Sequence, residues 1–291
     1  MHAHTRSARF EVVLWAVLVL ALASAMLAGR PLPLSNDSYR YLNAAAQVRE
    51  GRGPASTVAY YDLERAHGHL PYPLTHWPPG YPATIAATSA FTSGDLERAA
   101  RIVSALACAG TAALLTWALQ LTGVSPLVRG VMLTIFAFNV TTLSFATAVL
   151  SEALFTCATM GTFAALLWAE GAATSNRPHT GHAAGAAALA GLTYWLRYAG
   201  LFVVAGVVTH AALRWALHPS RRSARTLRLM ALPLGLVATL AGRNAWLTGN
   251  WRGGNEMPTA HPLSSVLREY VSDQVHVLFG LHAFTFGAWE W

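Results

Sequence analysis

Apolar runs of bilayer-spanning length recur along almost the whole chain, separated by short polar interruptions. A helix that crosses the hydrocarbon core needs roughly 20 apolar residues, with about 17 as the lower limit. By that measure the pattern predicts seven spans, at 11–29, 101–122, 130–149, 153–170, 183–198, 201–217 and 228–247. An eighth run, Tyr81 to Phe91, is too short, reaching only about 20 Å against a core of about 30 Å. With Pro78-Pro79-Gly80-Tyr81-Pro82 ahead of it, it reads as a re-entrant or interfacial segment. The long polar loop at 30–100 should hold a second short helix. Ser35 or Asn36 can cap it, Asp37 in the first turn suits the positive end of the helix dipole, and Gly51 and Gly53 stop it after Glu50. Asp37, Tyr41, Ala45 and Val48 share one face of that helix. The face is otherwise apolar, so either it packs on the spans or the membrane and carries Asp37 with it, or Asp37 is simply a first-turn acid that supports the cap.

Charge orients this array. The segment 214–228 carries Arg214, Arg221, Arg222, Arg225 and Arg228 and no acid, and the N-terminal tail carries Arg6 and Arg9. Basic residues collect on the cytoplasmic side of short loops. Seven spans, with 81–91 not crossing, put both segments there. The loops at 30–100, 150–152, 199–200 and after 248 then face outwards, and those at 123–129, 171–182 and 214–228 face inwards. Val12 to Ala28 is longer than a signal-peptide core and lacks a small-residue cleavage site, so it is expected to remain as the first span.

Composition agrees. The chain is 54% hydrophobic and 11% charged, where soluble domains carry about a quarter charged residues. Its net charge of +7 comes from arginine alone, since lysine is absent. In a chain of spans that charge belongs to lipid headgroups rather than nucleic acid. Cys108 and Cys157 fall inside apolar runs and read as small core residues. The lack of lysine and the abundance of alanine suit a bacterial inner (plasma) membrane, and leave an archaeal one open.

Polar groups gather on the outer side. Besides Asp37, Glu152 opens a span at its outer end, Arg197-Tyr198 closes another, and Arg243-Asn244 closes the last. Taken singly, each reads as an interfacial anchor or a structural pair such as Glu152 with Arg197. Together they place an acid and several arginines on one face, which suits an anionic ligand and a proton acceptor. His67, His69 and His76 with Asp62 and Glu64 match no familiar metal spacing. The sequence indicates no cofactor and no metal site, and leaves a divalent cation open.

These residues also carry a resemblance. Asp37-Ser38-Tyr39-Arg40-Tyr41-Leu42, His76-Trp77-Pro78-Pro79-Gly80-Tyr81-Pro82, Ser151-Glu152-Ala153-Leu154-Phe155, Gly191 to Leu201 with Arg197-Tyr198, and Arg243-Asn244 with Gly249 occur in this order. The set resembles the GT-C membrane glycosyltransferases, in the branch of the protein O-mannosyltransferases and aminoarabinose transferases. The resemblance implies an all-α module of about seven spans over residues 1–254, with 255–291 as an outer amphipathic tail. It implies transfer of a sugar from a polyprenyl-phosphate donor to a lipid, glycan or protein acceptor on the extracytoplasmic face. Asp37 would be the general base, and Arg197, Arg243 and His76 would hold the lipid phosphate. Tyr41, Tyr81 and Tyr198 would shape the pocket, while Glu152 and Asn244 position its groups.

Two features depart from the family. Trp77 stands where the aminoarabinose branch has a lysine before Pro-Pro, and the chain stops at Trp291 where relatives continue through further spans. The latter implies a short or partial form. The rival readings are an inactive relative scaffolding an envelope glycan pathway, and a lipid-linked sugar transporter. The transporter predicts inverted repeats and polar residues at mid-membrane, neither of which the sequence shows.

Overall fold

The computed structural model describes residues 2–29, 31–58, 69–174, 180–251 and 253. Asp62, Glu64, His67 and the tail at 255–291 lie outside the described residues. The described chain is helical apart from one tiny antiparallel pair, β1 (Ala55–Ser56) and β2 (Tyr72–Pro73), with Ala55 opposite Pro73 and Ser56 opposite Tyr72.

The predicted apolar runs become helices with small shifts at their ends. α1 covers His2–Gly29, α4 Leu96–Leu121, α7 Glu152–Thr174, α8 Thr180–Leu196, α9 Gly200–Leu217 and α11 Ala231–Thr248. The loop helices are α2 (Asn36–Arg49) and α3 (Gly80–Ser89). Among the described residues, five helices are long and apolar enough to cross a membrane. The run predicted as one straight span at 130–149 is two helices, α5 (Pro126–Phe138) and α6 (Val140–Thr147), bent by 53°. Asn139 explains the break. It leaves helical geometry, and its Oδ1 accepts the amide hydrogens of Thr141 (2.8 Å) and Thr142 (3.4 Å), capping α6. Taken as one broken span, the pair makes a sixth. The run predicted at 183–198 is α8, whose 17 residues sit at the lower limit of about 17 for a crossing.

The short run after Pro82 behaves as its length demands. α3 has 10 residues, buries Tyr81 and Ile85 completely, and packs between α2 and α4. Its approach to α8 is tight: a Cβ on Gly80 would lie 2.5 Å from the carbonyl oxygen of Trp195. A further helix unforeseen in the hydropathy pattern, α10 (Arg221–Leu229), precedes α11.

The bundle is threaded in a row, α1 on α4, α4 on α7 and α7 on α8, with α9 and α11 flanking α8. Small residues make these approaches. Ala99, Ala100, Ala107 and Ala112 on α4, and Ala183, Ala186, Ala187 and Ala190 on α8, are almost fully buried. In lipid, where burial of apolar surface between helices brings no hydrophobic gain, close backbone approach supplies the attraction. At the end of the bundle remote from α2, Arg129 forks onto Glu11 at 2.7 and 3.0 Å and ties α1 to α5.

Candidate active site

α2 is fixed at its start by a reciprocal cap. The Ser35 hydroxyl accepts the Ser38 amide hydrogen at 3.2 Å, and the Ser38 hydroxyl accepts that of Ser35 at 3.1 Å. From there Tyr41, Ala44 and Ala45 are buried against the bundle. Asp37 departs from the packed-face expectation, because its side chain is exposed rather than carried into that face. In the first turn it is Ser38, not Asp37, that turns towards the bundle: Ser38 is buried, and Asp37 beside it is left on the outside. Serines do the capping, so the Asp37 carboxylate is not consumed by the cap.

Below Asp37 lies a polar knot built from four segments. Tyr41 and Ser151 share a hydrogen bond of 3.1 Å between hydroxyl oxygens. Arg197, in the three-residue break between α8 and α9, donates to Ser151 Oγ at 3.1 Å and pairs with Glu152 Oε1 at 2.6 Å. Glu152 is the first residue of α7, where the helix dipole favours a carboxylate. Its other oxygen, Oε2, is buried and has no hydrogen-bond partner among the described residues. Tyr81 stands edge-on to Tyr41 at 5.0 Å between ring centroids. Burial pushes the Tyr41 phenol up to about 12, with Glu152 and Asp37 adding to the rise. The Tyr41 hydroxyl is therefore a neutral hydrogen-bonding group at ordinary pH.

A second knot closes the far side. Tyr198 donates to the Thr75 carbonyl at 2.5 Å and accepts from Asn244 Nδ2 at 2.9 Å. Arg243 donates from Nη1 to the Leu74 carbonyl at 2.9 Å and from Nη2 to the Pro54 carbonyl at 3.2 Å. These bonds pin the residues that flank the β1–β2 pair, Pro54 on one side and Leu74-Thr75 on the other, and with them the approach to His76, onto the end of α11. Gly253 (φ 80°) passes so close to the Thr75 carbonyl and Asn244 that a side chain there would meet both.

Between the knots lies His76-Trp77. The two rings meet edge-on at 4.2 Å, and the Arg40 guanidinium sits 4.7 Å over the Trp77 ring. The structure thus brings Tyr41, Tyr81, Glu152 and Arg197 into one cluster and Tyr198, Arg243 and Asn244 into another. His76 sits on the loop between them, and Asp37 is at the exposed rim.

Four residues escaped the sequence reading of the site. Ser151 joins Tyr41 to Arg197, Arg40 covers Trp77, and Thr75 offers a carbonyl that no side-chain pattern could announce. Arg101 is the fourth. It donates to the Leu32 carbonyl ahead of α2 at 2.9 Å and to the Thr147 carbonyl ahead of α7 at 2.7 Å, while pairing with Glu97 at 2.8 Å. The signal for it was present as an arginine inside the run taken for a span. No group of three or more potential metal ligands occurs among the described residues.

No curated protein and no solved structure matches the chain. A comparison with known families aligns residues 70–240 with the dolichyl-phosphate-mannose-protein mannosyltransferases. That stretch contains His76, Tyr81, Glu152, Arg197 and Tyr198; it begins after Asp37 and stops just short of Arg243. It covers more than half of the 291 residues, and the chain belongs to this family of multi-span membrane glycosyltransferases.

Proposed function

We propose that the protein transfers a sugar from a polyprenyl-phosphate donor to an acceptor hydroxyl or amine on the face that carries Asp37, with Asp37 as general base. Family membership carries the general class, glycosyl transfer from a polyprenyl-phosphate sugar. The assignment of residues rests on one observation above the others. An exposed carboxylate stands at the rim of a cluster that holds Arg197 and a carboxylate oxygen, Glu152 Oε2, with no hydrogen-bond partner among the described residues.

In this reading the acceptor approaches Asp37 and its nucleophilic atom attacks the anomeric carbon. As that bond forms, the bond from the anomeric carbon to the phosphate oxygen breaks, and the electron pair leaves with the polyprenyl phosphate. The acceptor proton passes to Asp37. Negative charge gathers on the departing phosphate, where a fixed cation stabilises the transition state more than the ground state. Arg197, Arg243 and His76 provide that environment. The two arginines are also anchored to protein groups, which holds their charge in place without reorganisation. Arg40, over Trp77, brings a cation near the position where the aminoarabinose branch has lysine. Glu152 Oε2 can accept a sugar hydroxyl, and Tyr41, Tyr81, Tyr198 and Asn244 form the walls.

The test is transfer of radiolabelled sugar from a panel of polyprenyl-phosphate donors in membranes containing the wild-type chain or Asp37→Asn. Transfer by the wild type that is lost in the variant at equal protein level is the expected result. Equal transfer by both would remove Asp37 from the mechanism, and no transfer from any donor would oppose the activity itself.

A further inference from the structure

A second charged region lies at the opposite end of the bundle. α7 runs from Glu152 in the candidate site to Glu170, a separation of 18 residues or about 27 Å of helix. There α7, α8, α9 and α10 enclose a cavity of about 130 Å³. Its lining includes apolar residues, Leu166, Val207, Ala211 and Met230. It also includes the basic residues His210, Arg214, His218 and Arg222. Glu170 is the one acid among the lining residues, and it is engaged twice. Arg214 forms an ion pair with it, and His210 Nε2 lies 3.2 Å from its Oε1.

The wall formed by α10 is built in, rather than a loose surface helix. Ser223 is 4% exposed, and its hydroxyl donates to the His218 carbonyl at 2.9 Å, fastening α10 to the end of α9. Ser220 and Ser223 cap α10 reciprocally at 3.0 Å. α10 thereby presents Arg222 to the cavity at the level where the apolar helix α9 ends. Arg221, Arg225 and Arg228 on the same helix are not among the lining residues.

We propose that this cavity binds a phosphate ester, either the headgroup of an anionic phospholipid or a free organic phosphate. Guanidinium groups match phosphate oxygens in shape and charge, and the apolar lining residues suit the glycerol and upper acyl part of a lipid. A cation is repelled by the arginines, and a neutral amphiphile offers the guanidinium groups no charge-assisted bond. Glu170 acts as an internal substitute anion that the phosphate must displace from Arg214. Nothing in the site proposed for sugar transfer is required for this binding.

The full chain is reconstituted in nanodiscs of phosphatidylcholine alone, or with phosphatidylglycerol added, and its unfolding temperature is read. A rise of several degrees with phosphatidylglycerol, absent when glycerol phosphate is added to phosphatidylcholine discs, supports the site with a lipid as its source. The same rise with glycerol phosphate supports it with a free ester as the source. No rise from either overturns the proposal. Arg222→Gln should abolish the rise while Arg225→Gln keeps most of it; equal loss in both would mean diffuse attraction to the surface and overturn the cavity. Glu170→Gln should enlarge the rise by removing the competing anion, a gain that faulty folding cannot imitate. An unchanged or smaller rise in that variant counts against the site.

Discussion

Asp37 is accessible because two serines beside it do the capping. Ser35 and Ser38 satisfy the first amides of α2, so the carboxylate is left to other work. Asp37→Asn should therefore lower the transfer rate by about 10²- to 10⁴-fold, the range for losing a general base, with an unchanged unfolding temperature. Ser35→Ala should do the reverse in kind, destabilising α2 by about 1 kcal/mol through the lost cap. Tyr41 gives a pH signature. Its phenol is raised to about 12 in the folded chain, above the free value near 10. The fold thus favours the protonated form, and that contribution is complete below about pH 10 and lost as pH rises towards 12. Tyr41→Phe should flatten the alkaline fall in stability over that window, while costing about 1 kcal/mol at neutral pH for the bond to Ser151.

At the scale of elements, the readable parts were those set by local pattern and length. Six of the seven apolar runs gave single helices, and the shortness of the run after Pro82 kept α3 out of the set of spans. Ser35 announced the cap of α2. The errors came where a single polar residue outweighed its apolar surroundings. Asn139 breaks the run at 130–149, and the Ser220–Ser223 pair starts α10 inside what looked like a loop of arginines. The β1–β2 pairing and the carbonyls of Leu74, Pro54 and Thr75 were illegible because backbone acceptors carry no sequence signature. The clamp made by Arg101 belongs to this scale, since it joins the loop before α2 to the last residue of α6. Arg101→Gln should reduce turnover by about 10²-fold through misplacement of Asp37 against Glu152, with donor KM changed far less than kcat. Gly80→Ala tests the other fixed contact. Its methyl would meet the backbone of Trp195 and should destabilise the chain by about 1–3 kcal/mol.

For the molecule as a whole, the arrangement of charge predicts which end meets which side of the membrane. A cysteine placed at Asn36 should react with an impermeant maleimide added to intact cells, and one placed at Arg225 only after permeabilisation; the reverse pattern would turn the orientation over. The native cysteines interfere little, Cys108 being buried and Cys157 partly so.

The alanine seams have a consequence for substitution along them. An alanine has no rotamers to lose, so helices that meet through alanine are ordered at almost no side-chain entropy cost. For the same reason they have no side chains that can repack to absorb a displacement. Where α4 and α8 meet their neighbours through alanine, a larger residue at Ala100 or Ala187 therefore moves the helix axes apart instead of being absorbed by its surroundings.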